Sequence, residues 1–187
     1  FDGWLNKRKY SKYAIGFSNK NIVLVNQFKE DIKGIYNLND LYTRIKNNGV
    51  IEVEMFNKDI FNKLDNEFKD IKNKLNSKQK IIIFLKSFWD DEGNVNFYPE
   101  SRTRKLRGRC SNLSLLSYLI KLHNRIGLEV NKEYDNKGLI ISNKDMIVRF
   151  KELIGFSNGV KVCKGNGVNK DRWLNFEKNF VLNEMIK

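Results

Sequence analysis

Hydrophobic and polar positions change period several times along the chain, and each change marks an element. Tyr13, Ile15 and Phe17 alternate with small residues, so Trp4 to Lys9 and Lys12 to Ser18 read as two strands around a Lys-Tyr-Ser turn. From Asn21 to about Ile35 the period becomes helical: Val23, Leu24, Phe28 and Ile32 recur at threes and fours, with Ser18 or Asn19 placed to cap the start. Leu41 to Lys46 and Val50 to Phe56 then read as a hairpin across Asn47-Asn48-Gly49. Asn57-Lys58-Asp59 opens another helix to about Ile71.

The stretch Lys72 to Lys80 is polar except for Leu75 and reads as a linker, after which Ile81 to Asp91 forms an apolar run. By pattern alone, Ile81-Ile82-Ile83-Phe84-Leu85 fits a buried strand as well as a helix. The same order of elements then returns. In Asn94 to Thr103, Val95 and Phe97 fall on one face, with Asn96, Tyr98, Arg102 and Arg104 on the other. Across a turn, Arg107 and Arg109 alternate with Leu106, Gly108 and Cys110. Ser111-Asn112 caps a helix rich in leucine that Gly127 ends. Strands at Leu128 to Tyr134 and Leu139 to Ser142 follow, then a helix from Asn143-Lys144-Asp145 to Gly155. Three landmarks recur at an offset of about 90 residues, as a duplicated unit requires. They are Asp2-Gly3 with Glu92-Gly93, Ser18-Asn19 with Ser111-Asn112, and the Asn-Lys-Asp openings at Asn57 and Asn143. The tail from Gly165 reads as a loop and a helix carrying Trp173, Phe176, Phe180 and Leu182.

Charge narrows the partner. The 187 residues carry 35 Lys and Arg against 22 Asp and Glu, a net charge of +13. With a pI near 9.7, this asks for a polyanion. No run of about 18 apolar residues is present to span a bilayer, so nucleic acid is favoured over a membrane. The hairpin from Tyr98 to Arg109 holds five basic residues against Glu100 alone, and so many arginines on one face ask for an anion. Cys110 and Cys163 stand far apart with no CxxC, so reduced thiols are expected, without a zinc site. The single histidine, His123, lies in an apolar helical stretch and reads as a packing residue. No signal peptide is visible, and the expected location is the cytoplasm or an organelle matrix.

The candidate chemistry lies in Phe84 to Gly93, an apolar segment running into Asp90, Asp91, Glu92 and a glycine. An acid in the last turn of a helix meets the negative end of the macrodipole and the unpaired carbonyls, so a cation is expected there. Taken alone, Glu92-Gly93 also fits a solvated helix end with a C-cap glycine.

The segment Leu85-Lys86-Ser87-Phe88-Trp89-Asp90-Asp91-Glu92-Gly93, with the duplicated element order, resembles the LAGLIDADG homing endonucleases. Lys86 and Ser87 stand where that family usually has small residues, and the first repeat shows only the tail of its motif, Phe1-Asp2-Gly3. The resemblance implies an α+β fold: two pseudo-symmetric αββαββα repeats, a saddle of two antiparallel sheets, and motif helices at the interface. The first motif helix would lie upstream. Residues 1–73 would form the first repeat, 74–80 the linker, and 81–187 the second repeat with a C-terminal extension. It further implies cleavage of both strands of a long DNA site, with Asp2 and Glu92 as ligands of Mg²⁺. Asn19 and Asn112 would orient water, and Lys161 would sit near the scissile phosphate. Lys7, Lys9 and Lys12 in one repeat, and Tyr98, Arg102, Arg104, Arg107 and Arg109 in the other, would contact DNA. The chain would act as a monomer if the upstream helix is present. The alternative is a relative without nuclease activity, acting as an RNA maturase or a DNA-binding regulator.

Overall fold

The computed structural model describes residues 3–9, 12–38, 40–163 and 172–187. The chain divides into two compact units, Phe1–Leu75 and Asn76–Lys187. The first begins with β1 (Gly3–Arg8) and β2 (Lys12–Asn19), which pair antiparallel from Gly3↔Phe17 to Arg8↔Lys12. Helix α1 (Ile22–Tyr36) follows, then β3 (Tyr42–Ile45), β4 (Ile51–Phe56), α2 (Lys58–Lys69) and the single turn α3 (Ile71–Lys74). The sheet order is β1-β2-β4-β3. Gly49 takes φ +78° in the β3–β4 turn, a left-handed conformation that a side chain would strain. Ile15, Ile32 and Met55 form the buried centre, so α1 packs on the sheet face defined by Ile15 and Met55.

The second unit consists of α4 (Lys78–Glu92), β5 (Gly93–Tyr98), β6 (Thr103–Arg109), α5 (Leu113–Arg125), β7 (Asn131–Lys132), β8 (Gly138–Ile141), α6 (Lys144–Leu153) and α7 (Lys178–Ile186). Its sheet order, β5-β6-β8-β7, repeats that of the first unit. The duplication reaches the helix caps. Asn57 accepts the Ile60 N–H at 3.0 Å, and Asn143 accepts those of Asp145 and Met146 at 2.8 and 3.2 Å.

Pattern left Ile81 to Leu85 open between helix and strand, and these residues are helical. Ser77 accepts the Lys80 N–H at 3.3 Å and starts α4 at Lys78, so only Leu75 to Ser77 lie outside helices in the stretch expected as linker. The strand expected over Leu128 to Tyr134 shrinks to β7, because Leu128 is fully buried and its N–H closes the end of α5 on the His123 carbonyl at 3.0 Å.

Around α4 the core is aromatic. Ile81, Leu85, Phe88 and Trp89 repeat at helical spacing and are buried. The Trp89 ring meets Phe150 edge-on at 5.0 Å, and its indole N–H donates to His123 Nε2 at 2.9 Å. The other imidazole nitrogen, Nδ1, donates to the Leu119 carbonyl at 2.7 Å. Both ring nitrogens are thereby occupied, and burial pushes the imidazole down to about 4, so His123 is a neutral packing residue. Cys110 is half-buried and Cys163 exposed, both as free thiols. Among the described residues no helix is long and apolar enough to cross a membrane.

Candidate functional site

The end of α4 runs into β5 without a loop. Gly93 closes the helix in extended backbone, φ −77° and ψ 139°, with its N–H on the Trp89 carbonyl. It is not the left-handed cap that the sequence also allowed. Glycine is required by crowding: a Cβ there would stand 2.2 Å from the Trp89 oxygen. Across the hairpin Gly93 pairs with Gly108, where a Cβ would enter the Phe88 ring at 2.7 Å. Two opposed glycines therefore let the aromatic end of α4 lie directly on the strands, so that Glu92 is presented at the start of the sheet.

The three consecutive acids have different surroundings. Asp90 is buried, accepting the Ser157 backbone N–H at 2.8 Å and its hydroxyl at 2.7 Å. Lys86 stands at 4.0 Å from the same carboxylate. Asp91 and Glu92 are half-buried. Burial, with a smaller push from the Glu92 charge, raises the Cys110 thiol, so Glu92 lies near the far end of β6. The cation expected at this helix end comes from the tail. Lys178 is buried at the start of α7, and its ammonium donates to the Asp90 carbonyl at 2.7 Å, with the Trp89 carbonyl at 3.5 Å. Burial pushes this ammonium down to about 8, while Asp90, Asp91 and Glu92 pull it back up. Sequence reasoning missed Lys178. The available signal was a lysine in the first turn of a helix without an acid there, a placement the macrodipole disfavours.

Strand register sorts the basic residues differently from the expectation. The β5–β6 turn lies at Pro99 to Arg102, where the Arg102 N–H reaches the Pro99 carbonyl and Arg102 takes φ +51°. Arg104 pairs with Phe97 and shares the face of buried Val95 and Leu106, whereas Lys105, Arg107 and Arg109 share the opposite, open face with Asn94, Asn96 and Tyr98. Because the turn precedes Thr103, Arg104 has the opposite parity to that expected and Lys105 takes the open face. Arg102 belongs to the turn. The anion that this face asked for is internal: Glu133, buried, binds Arg107 and Arg109, and Arg109 also reaches Asp135 at 3.1 Å. Asp135 is held below the usual carboxylate range, first by the Lys137 backbone N–H and also by Arg109.

The first unit has the same plan. Lys7 pairs with Tyr13, on the face of Ile15, and its ammonium lies 5.4 Å from the Tyr13 ring, so it points away from the open face. Arg8, which is not among the expected DNA contacts, takes the open-face position. It binds buried Glu54 and lies between the Trp4 and Phe56 rings, 5.7 and 5.5 Å from their centroids. Glu52, also buried, binds Lys46 and Arg44, which lower it from its ordinary value with Lys46 the larger influence. Lys12 pairs with Arg8 on the open side, and Lys9 is exposed beyond β1.

The paired asparagines are not equivalents. Asn19 closes β2 and accepts the Asn21 N–H at 2.7 Å, whereas Asn112 lies beyond β6 and caps α5, accepting the Leu115 N–H at 3.0 Å. By cap position the counterpart of Asn112 is Asn21, because the Ser-Asn pair falls at the end of a strand in one unit and in the connection in the other. Lys161 is exposed, and its backbone forms a bridge with Glu177, beside Lys178. Asp2 lies outside the described residues. Among the described residues no three His, Cys, Asp or Glu side chains converge as a ready-made metal cage.

No protein-family model matches the chain, and no curated protein matches it. Solved structures do. I-DmoI in complex with DNA and Mn is similar at 19% identity and TM-score 0.59, over 83% of this chain and 89% of that one. The N-terminal LAGLIDADG domain of DUF199/WhiA is similar at 14% identity and TM-score 0.59, over 84% and 78%. The homing endonuclease I-WcaI bound to its DNA recognition sequence is similar at 18% identity and TM-score 0.52, over 85% and 78%. The fold of this chain is that of the LAGLIDADG proteins.

Proposed function

We propose that this chain, built on the LAGLIDADG fold, is a site-specific DNA endonuclease that makes a double-strand break by metal-dependent phosphodiester hydrolysis. The observation that carries the reading is the junction of α4 and β5. An acid turn ending in Glu92 passes directly into the strand bordering an open face that bears Lys105, Arg107 and Arg109. A phosphodiester backbone supplies the negative charge that such a face attracts, and major-groove base edges suit arginines held in fixed directions. Similarity to I-DmoI and I-WcaI, both solved with DNA, supports this partner.

The donor set fits Mg²⁺ in kind. Carboxylate oxygens are hard ligands, and Mg²⁺ commonly takes one or two of them while keeping water and substrate phosphate in its shell. The absence of a many-ligand cage among the described residues is compatible with that habit. Glu92 is the assigned ligand in the second unit, and Asp2, by its place in the repeated acid-glycine pair, is the assignment in the first. When bound, such an ion activates water and stabilises the leaving oxygen. The protein's own residues position the reaction. Asp90, bonded to Ser157, holds the turn in place. Arg107 and Arg109, oriented by Glu133, grip and read the duplex. Lys161 is assigned to the phosphate, and Asn19 and Asn112 to the water network.

Supercoiled plasmid carrying a candidate site, incubated with Mg²⁺, tests the proposal. Linear product is expected from the wild type. Glu92→Gln should cut at least about 100-fold more slowly, while its DNA affinity stays within about twofold because the sheet face is untouched. Normal cutting by Glu92→Gln would sink the assignment. Tight binding by the wild type without cutting would favour the second reading, a DNA-binding regulator or RNA maturase.

A further inference from the structure

Lys178 is only 5% exposed, yet among the described residues no carboxylate hydrogen bond neutralises its ammonium. Its direct partners are the Asp90 and Trp89 carbonyls, and the Phe156 ring lies 5.2 Å away. Burying an ammonium costs several kcal/mol unless the surroundings answer it. A methionine would fill the same volume at lower cost, so packing alone does not account for a lysine here. What answers it is the negative pole of α4: the Trp89 and Asp90 carbonyls in its last turn, which also carries three acids in a row. The ammonium approaches this turn from α7, while Ser157 ties down the Asp90 side chain from the segment after α6. The tail is held firmly enough to carry such a group. Val181, Leu182 and Met185 are buried, the Trp173 indole donates to the Phe97 carbonyl at 2.8 Å, and Arg172 binds Glu100.

We propose that Lys178 is a positioning residue of the endonuclease site, holding the last turn of α4 so that Glu92 is presented in a fixed direction at the head of β5. The inference rests on the nuclease reading for its consequence, but not for its geometry. It gives the C-terminal segment a role: α7 is a clamp that delivers one cation beneath the acidic turn. The cation is a donor that stays in place, touching neither substrate nor reacting atoms.

The experiment compares the wild type with Lys178→Met, Lys178→Arg and Ser157→Ala. Amide exchange at Gly93, whose N–H bonds the Trp89 carbonyl, reads the geometry. Single-turnover cleavage of saturating DNA, measured beside the DNA dissociation constant, reads the consequence. Lys178→Met should speed Gly93 exchange about tenfold or more and slow cleavage within the bound complex about 10- to 100-fold, the scale of a small misplacement. Its DNA affinity should stay within about twofold. Lys178→Arg, which keeps a charged donor, should recover at least part of the rate, and Ser157→Ala should loosen the same turn by a smaller factor. Unchanged Gly93 exchange in Lys178→Met overturns the proposal whatever the cleavage data show. Faster exchange with a normal bound-complex rate also overturns it, leaving Lys178 a purely structural group. If the wild type cuts no DNA, the nuclease reading fails by itself, and exchange at Gly93 still decides whether Lys178 holds the turn. Should Lys178→Met fail to fold, Lys178→Gln, which also removes the charge, carries the same two measurements, and wild-type values in both overturn the proposal.

Discussion

The two units share a strand order and differ in what lies on the sheet. In the first, α1 and α2 cover one face; α2 holds no buried residue, and Ile15, Ile32 and Met55 form a buried cluster. In the second, α4, α5 and α7 all pack on the strands, around Trp89, Phe150 and His123. The difference is visible at one equivalent position. Gly3 pairs with Phe17, whose ring stacks on Phe28 at 5.3 Å, whereas Gly93 pairs with Gly108, which leaves room for Phe88 of α4. Among the described residues the second unit is the more deeply packed, and the acidic turn belongs to it.

Truncating the core is the strongest way to test that contrast. Trp89→Ala should cost about 3–5 kcal/mol, and Met55→Ala in the first unit about 2 kcal/mol, within the range for large-to-small core changes. Residue-resolved hydrogen exchange during denaturant titration separates the units, and equal losses would remove the contrast.

Acid sharpens it further. His123 has a folded value of about 4 against an ordinary 6.5, so below 6.5 the unfolded chain takes up a proton that the folded unit refuses. Stability is therefore intact above 6.5 and is lost as the pH falls from 6.5 towards 4, by ~3 kcal/mol in all. Glu52 has the opposite chemistry, a carboxylate lowered from 4.5, so its contribution is present above 4.5 and is lost as the pH falls below that value. Exchange protection in the second unit should decline first, between 6.5 and 4.5, with the first unit following below 4.5. The reverse order would contradict both assignments.

The smallest effect expected concerns the open faces. Glu133→Gln removes the buried anion that orients Arg107 and Arg109 for reading, so their guanidiniums turn from base edges to phosphate. The slope of log K for DNA against log salt should steepen by about 1, with weaker discrimination between sequences. Glu54→Gln should change the slope less, because Arg8 remains held between Trp4 and Phe56. Fluorescence anisotropy across a salt series measures both, and an unchanged Glu133→Gln slope would show that those arginines do not face the duplex.

Where the sequence reading succeeded, the information was local. Tyr13, Ile15 and Phe17 alternate because a half-buried strand exposes every second side chain, and Asn57 and Asn143 precede their helices because an amide oxygen can take an orphan N–H. Where it failed, the missing quantity was a register or a partner. A turn after Arg104 would put it on the open face, and one residue of displacement exchanges every side chain between faces. The Ser-Asn pair makes Asn112 look like Asn19, although only one of them lies in a strand.

By itself the sequence determined the repeated order of elements, the basic character of the molecule and the acid-glycine junction at Glu92, all carried by period, composition or adjacency. Tertiary structure decided which arginines share a face, that Glu133 and Glu54 hold them, and that Lys178 lies beneath the end of α4. Those facts join residues distant along the chain, and whether two such groups meet depends on strand register and helix packing, which local pattern does not encode.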